Sequence, residues 1–303
     1  VRTLGEEAAG EQRNKPTIVL LSGPNKYFHA DSAWFVTVQQ QLAKHYKVRA
    51  IDRPGNGWSD FDETTSYVGF VDKLYQTLVA LDEKAVIFVT FSSGNTTASL
   101  FQKKYSQNSK IKLKGMVWID PDIFLPHSIA MYQDYPVTYY RKNLAELLPH
   151  LKTGAWTERT QKKLVAEREE IQTLTQGKSM DWGYYDAISQ QRLLIDRQQT
   201  RSLEIAHYHD DLNAVANLEL IEQIPVSVID SDFELEQIKE QIRDNPDAAK
   251  AMTKWMEEGT QWAKLVAQKS KGQYIEVSNA HHLVPLQHPE VIVDAVNWLA
   301  GRL

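Results

Sequence analysis

The sequence predicts an α/β fold with a mostly parallel central sheet, helices on both faces of the sheet, and an inserted helical cap. Three observations support this prediction. Apolar, β-branched runs alternate with segments of helical periodicity along much of the chain, which is typical of right-handed βαβ crossovers. The apolar runs are nearly continuous, as in strands that are covered on both faces. One long block between two such runs has only helical character, which indicates an insertion.

The elements follow one another in a regular order from the amino terminus. The apolar runs that we assign to strands are 17–21, 46–51, 85–91, 112–119, 224–229 and 272–277. Segments with apolar residues at helical spacing are 33–45, 68–81 and 96–105, and an amphipathic helix covers 289–303. Residues 124–218 contain no convincing strand. We therefore predict a core of residues 1–123 and 219–303 and a helical cap of residues 124–218.

Length, composition and charge limit the classes of function. A chain of 303 residues can bury a large core, and 42% hydrophobic with 24% charged residues is ordinary for a globular protein. The net charge of −5 without a long basic run makes nucleic acid an unexpected partner. No apolar run approaches the roughly 18 residues that span a bilayer. The absence of cysteine excludes thiol catalysis and thiolate metal sites. The chain starts at Val1 without methionine, which leaves a removed leader or tag open.

The segment 85–95 carries the strongest functional signal. An apolar run ends at Ser92, small or polar residues follow, and a helical segment begins. This pattern predicts a strand, a sharp turn with Ser92 at its tip, and a helix. A serine held there is exposed above the sheet edge beside amide N–H groups, which suits a nucleophile. The alternative is a serine that only caps the helix. The usual pattern is G-x-S-x-G, and Thr90 stands here in place of the first glycine.

Four motifs, in order from about Pro16 to the C terminus, resemble the α/β-hydrolase superfamily in its capped, single-chain form. They are residues 17–23 (TIVLLSG), 51–60 (IDRPGNGWSD), 91–94 (FSSG) and 278–283 (SNAHHL). The resemblance implies a Ser-His-acid triad with Ser92 as nucleophile and His282 as base, and His281 is the competing histidine. It also implies an oxyanion donor at Ser93 and a second one at Pro24, which has no N–H. Either Asn25 donates in its place, through its backbone or side chain, or the turn is shifted in register.

The acid of the triad has several candidate positions. Members of the superfamily often carry it in the loop after the strand that ends here near Asp230. Strict alignment puts it at Glu234, and Asp232 lies two residues earlier. Asp120, with Asp122 beside it, follows the preceding strand, which is the position that certain haloalkane dehalogenases use, although a plain turn is the competing interpretation. We favour Glu234 over Asp232 and leave Asp120 and Asp122 open.

The resemblance implies a serine hydrolase that cleaves an ester-like or related acyl bond of a small molecule, with no cofactor and no metal. Dehalogenases and epoxide hydrolases use Asp at the elbow, so Ser92 disfavours their chemistry. Aminopeptidase, C–C bond hydrolase and acyltransferase activities remain open. So does a non-catalytic binding protein, because Ser22 and Pro24 depart from the usual oxyanion turn. Residues 207–211 (HYHDD) offer metal-ligating types, but His at i and i+2 of a helix face different directions, which favours a surface interpretation.

Overall fold

A central sheet organises the molecule, seen in a computed structural model that describes residues 1–6, 15–23, 31–105, 109–216, 218 and 224–303. The strands are β1 (Arg2–Leu4), β2 (Thr17–Ser22), β3 (Val48–Ala50), β4 (Ala85–Phe91), β5 (Lys112–Ile119), β6 (Val226–Ser231) and β7 (Tyr274–Val277). These seven described strands lie in the order β1-β3-β2-β4-β5-β6-β7. Every neighbouring pair is parallel except β1 with β3. The predicted α/β class with a mostly parallel sheet is therefore confirmed.

Helices connect the strands and cover the sheet. They are α1 (Val36–Leu42), α2 (Tyr67–Ala80), α3 (Gly94–Tyr105), α4 (Pro126–Tyr132), α5 (Val137–Lys152), α6 (Thr157–Leu174), α7 (Trp182–Gln191), α8 (Ile195–Val215), α9 (Phe233–Asp244), α10 (Pro246–Ser270), α11 (Val284–Gln287) and α12 (Pro289–Ala300). A 3-10 turn, Ser32–Phe35, precedes α1. Strand β1 was not predicted, because three half-exposed residues at the sheet edge carry no readable apolar period.

Side chains of the strands alternate between two hydrophobic clusters, as the period of two in a strand requires. In β4, Ile87 and Val89 belong to the cluster beneath α1 and α12, whereas Val86 and Phe88 belong to the cluster beneath α2, α3 and α10. All four side chains are fully buried. Both faces of the sheet are therefore covered by helices, which explains why these strands are almost uninterrupted apolar runs.

The strand pairing aligns the carboxyl ends of four strands in one row. Ser22 of β2 pairs with Phe91 of β4, Phe91 pairs with Ile119 of β5, and Ile119 pairs with Ile229 of β6. The residues that follow these strand ends therefore emerge side by side at one edge of the sheet. Polar side chains at this edge can meet although they are far apart in the sequence, as in other open parallel sheets.

The described residues between β5 and β6 are helical or irregular, with no strand among them, in the stretch that the sequence assigns to a cap. Within this helical segment, α8 packs along α5 and also contacts α2 and α3 of the main layer. The boundaries of a separate cap at residues 124 and 218 stay a prediction.

Candidate active site

The turn after β4 holds Ser92 in an uncommon backbone conformation. Ser92 has φ of 51°, in the left-handed region, and α3 begins two residues later at Gly94. The Ser92 nitrogen donates a hydrogen bond to the Ile119 carbonyl at 2.9 Å, which ties the turn to the end of β5. A non-glycine residue in this conformation costs about 1–3 kcal/mol and persists only where the surrounding structure enforces it. The predicted strand, turn and helix are thus present, with Ser92 at the tip.

Two glycines allow the end of β2 to approach this turn closely. A Cβ atom on Gly94 would lie 2.5 Å from the Leu21 carbonyl oxygen, and one on Gly23 would lie 2.5 Å from the Ser93 nitrogen. The Gly23 nitrogen also donates to the Phe91 carbonyl at 2.8 Å. Glycine at these positions therefore leaves the Ser93 N–H uncovered at the amino-terminal end of α3, where the helix dipole is positive. The other predicted oxyanion donor, Asn25, and its neighbour Pro24 lie outside the described residues.

The imidazole of His282 bonds to Asp120 rather than to the two carboxylates that the sequence favoured. His282 Nδ1 lies 2.9 Å from Asp120 Oδ2. The same carboxylate accepts hydrogen bonds from the Ser231 nitrogen and the Ser231 hydroxyl, both at 2.7 Å. Its side chain is 2% exposed. Because a carboxylate has only acceptor atoms, Nδ1 carries the proton in this contact, and in the neutral imidazole Nε2 is then the nitrogen that accepts.

Two aromatic rings fix the plane of the His282 imidazole. The ring of Phe91 lies 4.9 Å from it and that of Phe233 lies 4.4 Å from it, both tilted by about 40°. The neighbouring His281 is occupied differently, since its Nδ1 accepts from the Leu283 nitrogen at 3.1 Å within the loop. The arrangement thus favours His282 over His281 as the base, as the sequence reasoning does.

Asp232 holds the loop that carries the histidine. Its two carboxylate oxygens accept hydrogen bonds from the backbone nitrogens of Asn279 and Ala280, at 2.8 and 3.0 Å. Asn279 is itself in the left-handed region, with φ of 56°. Asp232 therefore acts on the backbone two residues before His282, and its described contacts do not include the imidazole.

Glu234 is a poor partner for a cationic imidazole because it resists ionisation. Burial, together with the negative charge of Asp120, raises the pKa of its carboxyl group to about 9. The residue is 7% exposed, and its Oε2 atom has no hydrogen-bond partner within the described stretches. At neutral pH the carboxyl group is therefore neutral, because a second charge beside Asp120 in a buried place would be costly.

Ser92, Asp120 and His282 all line one cavity of about 100 Å³, which we call the triad cavity. Its wall also contains Asp122 and Asp230, and burial raises the pKa of each of these carboxyl groups to about 6. The Ser93 hydroxyl bonds to Asp122 and opposes this shift. The Tyr274 hydroxyl, 2.7 Å from Asp230, does the same for that residue. The cavity thus joins Ser92, Asp120 and His282 to a wall of weakly acidic groups.

A buried ion pair that the sequence did not indicate joins this edge of the sheet to α8. The Arg53 guanidinium makes two bonds to the Glu204 carboxylate, at 2.7 and 3.1 Å, and both side chains are at most 3% exposed. Arg53 also donates to the Ser22 carbonyl at the end of β2. Asp211, further along α8, accepts from the Tyr67 and Val68 nitrogens, the first amides of α2. Arg53 belongs to the motif 51–60, so this motif attaches α8, and with it the helical segment between β5 and β6, to the edge of the sheet.

Two further features of the described residues bear on the classes of partner. No group of three or more His, Asp or Glu side chains suited to a metal ion occurs among the residues that the structure describes. In the cluster 207–211, His207 bonds the Thr65 carbonyl at 2.7 Å, and Asp211 caps α2. Of the helices in the described stretches, none combines the length and apolarity that crossing a bilayer requires.

Comparison with known proteins agrees with this architecture. The model of the alpha/beta hydrolase family matches residues 18–295. A search of curated proteins gives no match to this sequence. Among solved structures, a thermophilic esterase from Thermogutta terrifontis has a TM-score of 0.57 at 17% identity, over 98% of this chain and 91% of that one.

Two further solved structures show the same likeness. The enol-lactonase from Burkholderia xenovorans LB400 has a TM-score of 0.59 at 15% identity, over 98% of this chain and 94% of that one. The epoxide hydrolase CorEH has a TM-score of 0.62 at 14% identity, over 99% and 93%. At such identities the likeness shows the shared fold and leaves the reaction to the residues of the site.

Proposed function

The chain belongs to the alpha/beta hydrolase family, and from that premise we propose that it is a serine hydrolase with Ser92, His282 and Asp120 as its triad. One observation carries the proposal. A serine in the left-handed conformation at the β4–α3 turn shares a cavity with an imidazole whose Nδ1 lies 2.9 Å from a buried carboxylate. The substrate class that we propose is a small molecule with an ester-like or related acyl bond.

Each residue has one role in the proposed reaction. Nε2 of His282 takes the proton of the Ser92 hydroxyl while the Ser92 oxygen attacks the carbonyl carbon of the substrate. Asp120 stabilises the resulting imidazolium by accepting a hydrogen bond from its Nδ1–H. The Ser93 N–H, left uncovered by Gly23, binds the oxyanion. The imidazolium then protonates the leaving alkoxide as the carbon–oxygen bond breaks. In the second half of the reaction, the same Nε2 deprotonates a water molecule, whose oxygen attacks the acyl-enzyme. The bond between the acyl carbon and the Ser92 oxygen then breaks, the imidazolium returns its proton to that oxygen, and the acid is released.

Labelling with a fluorophosphonate, followed by mass spectrometry of the adduct, tests this proposal. We expect one adduct, on Ser92, and a large loss of labelling rate in His282→Ala. His281→Ala is the matched control, because that imidazole bonds within its own loop, and its labelling should stay within a few-fold of the wild type. A folded protein that remains unlabelled at Ser92 would contradict the assignment and favour a binding protein with the same fold.

One feature of the triad cavity favours the aminopeptidase alternative over the other acyl reactions. Asp122 and Asp230, with pKa values of about 6, line it beside the triad. Carboxylates ionised above that pH attract a primary ammonium group. Rates on acetyl esters, aminoacyl esters with a free amine and N-acetylated aminoacyl esters distinguish an aminopeptidase from a plain esterase. Preference for the free amine that disappears on N-acetylation supports the aminopeptidase, and equal rates support a plain esterase.

A further inference from the structure

A second cavity, of about 70 Å³, lies between helices α5, α6 and α8, and none of the triad residues lines it. Its wall carries five basic side chains, those of Arg159, Lys163, Arg192, Arg197 and Arg201. No acidic residue is among the described residues that line it. We call it the cationic cavity. It has room for several water molecules, so a carboxylate or phosphate group could enter it.

Two neighbouring carboxylates already make ion pairs, one with a lining residue and one with an arginine outside the cavity. Glu167 makes a buried pair with Arg192, at 2.6 and 3.3 Å. Glu204, which attracts Arg201, makes its two short bonds to Arg53. The lining thus carries five positive charges, against the two negative charges of these neighbouring carboxylates. Groups of like charge that are held close together repel one another, and a bound anion would relieve that repulsion.

The pKa of the Lys163 ammonium group reflects this repulsion. Burial, followed by the charge of Arg159, lowers the pKa of its ammonium group, although Glu167 acts in the opposite direction. Arg192 and Arg201 lower it further. An anion between these groups would favour the charged ammonium, so the lining is arranged to gain stability when a negative group binds.

Aromatic and planar groups give the cavity a shape that suits an organic anion. Trp156 and Tyr140 meet edge to face in its wall, with ring centroids 6.4 Å apart. Guanidinium groups present donors in a fork that matches the two oxygens of a carboxylate or phosphate. The Arg197 fork is fixed in place, because its Nε donates to the Gly57 carbonyl at 2.9 Å.

From these observations we propose that the cationic cavity binds a small organic anion. Its carboxylate or phosphate group would lie among the basic side chains, and its apolar part would pack against Trp156 and Tyr140. The inference does not depend on chemistry at Ser92, because the cavity and the triad are lined by different residues.

Calorimetric titration of the full chain with three probes at low salt tests the proposal. The probes are benzoate, phenyl phosphate and inorganic phosphate, and benzyl alcohol is the neutral counterpart. We expect saturable binding of at least one anion and none of benzyl alcohol. Preference between benzoate and the phosphates identifies the anionic group. Tryptophan fluorescence should change on binding, because Trp156 lines the cavity.

A matched pair of variants on α6 localises the binding. Lys163→Gln removes a charge from the lining, whereas Lys162→Gln removes one from the adjacent exposed residue, which pairs with Glu158. Lys163→Gln should raise the Kd of the anion by about tenfold or more, as expected for the loss of one charge-assisted contact. Lys162→Gln should leave it within about twofold. Equal weakening by both variants, or no saturation by any anion up to about 10 mM, would overturn the proposal.

Discussion

Replacing Asp120 by asparagine separates charge from shape at the candidate site. The amide oxygen of the Asp120→Asn variant can still accept from the Ser231 nitrogen, as Oδ1 does at 2.7 Å. The amide nitrogen would stand where Oδ2 now accepts from His282 Nδ1 at 2.9 Å. A donor in that place requires Nδ1 to accept, so the imidazole proton moves to Nε2. The lone pair that should receive the Ser92 proton is then lost.

The expected loss follows from this change of tautomer. In triads of this kind a wrong tautomer costs about 10⁴ in kcat, which corresponds to about 5 kcal/mol of transition-state stabilisation. The assay is hydrolysis of a p-nitrophenyl ester at pH 7.5, with the rate of fluorophosphonate labelling as a second readout. Unfolding temperature serves as the folding control, because the substitution also removes a charged acceptor from Ser231.

The two carboxylates that the sequence favoured provide matched controls for Asp120→Asn. Glu234→Gln should keep kcat within about tenfold of the wild type, since the Glu234 carboxyl group is neutral at this pH. Asp232→Asn should lower the unfolding temperature and keep kcat within about tenfold of the wild type, because the amide keeps only one of the two oxygens that accept from the Asn279 and Ala280 nitrogens. If Asp120→Asn stays within tenfold of the wild type while either control falls by about 10³, the assignment of Asp120 is refuted.

Three further predictions concern stability. Gly23→Ala should lower the free energy of unfolding by about 1–3 kcal/mol or more, because its Cβ would lie 2.5 Å from a backbone nitrogen; Gly183→Ala, whose Cβ would meet nothing closer than 3.6 Å, should be neutral in the same urea titration. The pKa of Glu234 rises from 4.5 to about 9 on folding, so the unfolded state loses its proton first and stability falls as pH rises between these values. Glu234→Gln should therefore raise the unfolding temperature relative to wild type at pH 8, and this advantage should vanish at pH 4.5. Arg53→Met should cost about 3–5 kcal/mol by leaving Glu204 buried without its partner, and adding Glu204→Met should recover part of that loss; a double variant no more stable than the single one would contradict this account.

The fold was largely predictable because its signal is repeated along the chain. The central strands are largely apolar because both of their faces are buried. Each run that we assign to a strand, from 17–21 to 272–277, matches a strand of the sheet within two residues at either end. The turn at Ser92 was predictable for a related reason, since a short link between an apolar strand and a helix can adopt few conformations. Of the seven described strands, β1 alone was not predicted, because it has only three residues at the edge of the sheet.

The carboxylate that bonds His282 was not predictable from the sequence order alone. Asp120, Asp232 and Glu234 all lie near the same sheet edge, and only the pairing of β5 with β6 decides which one meets His282. The sequence contained one signal, since Asp120 directly follows the strand β5 as Ser92 directly follows β4. In the structure both residues have positive φ. The ion pair between Arg53 and Glu204 could not be predicted for a different reason. The buried face of α8 contains many polar residues, so the sequence lacks the apolar period that identifies the buried face of a helix.

The double attachment of α8 has a consequence for how the helical segment separates from the sheet. Arg53 holds this helix at Glu204, and the first amides of α2 hold it at Asp211, in both cases through buried groups. Removing the helix from the sheet would break both contacts, which lie at different positions along α8. We therefore expect α8 to unfold together with the sheet in one cooperative transition, and not to detach on its own.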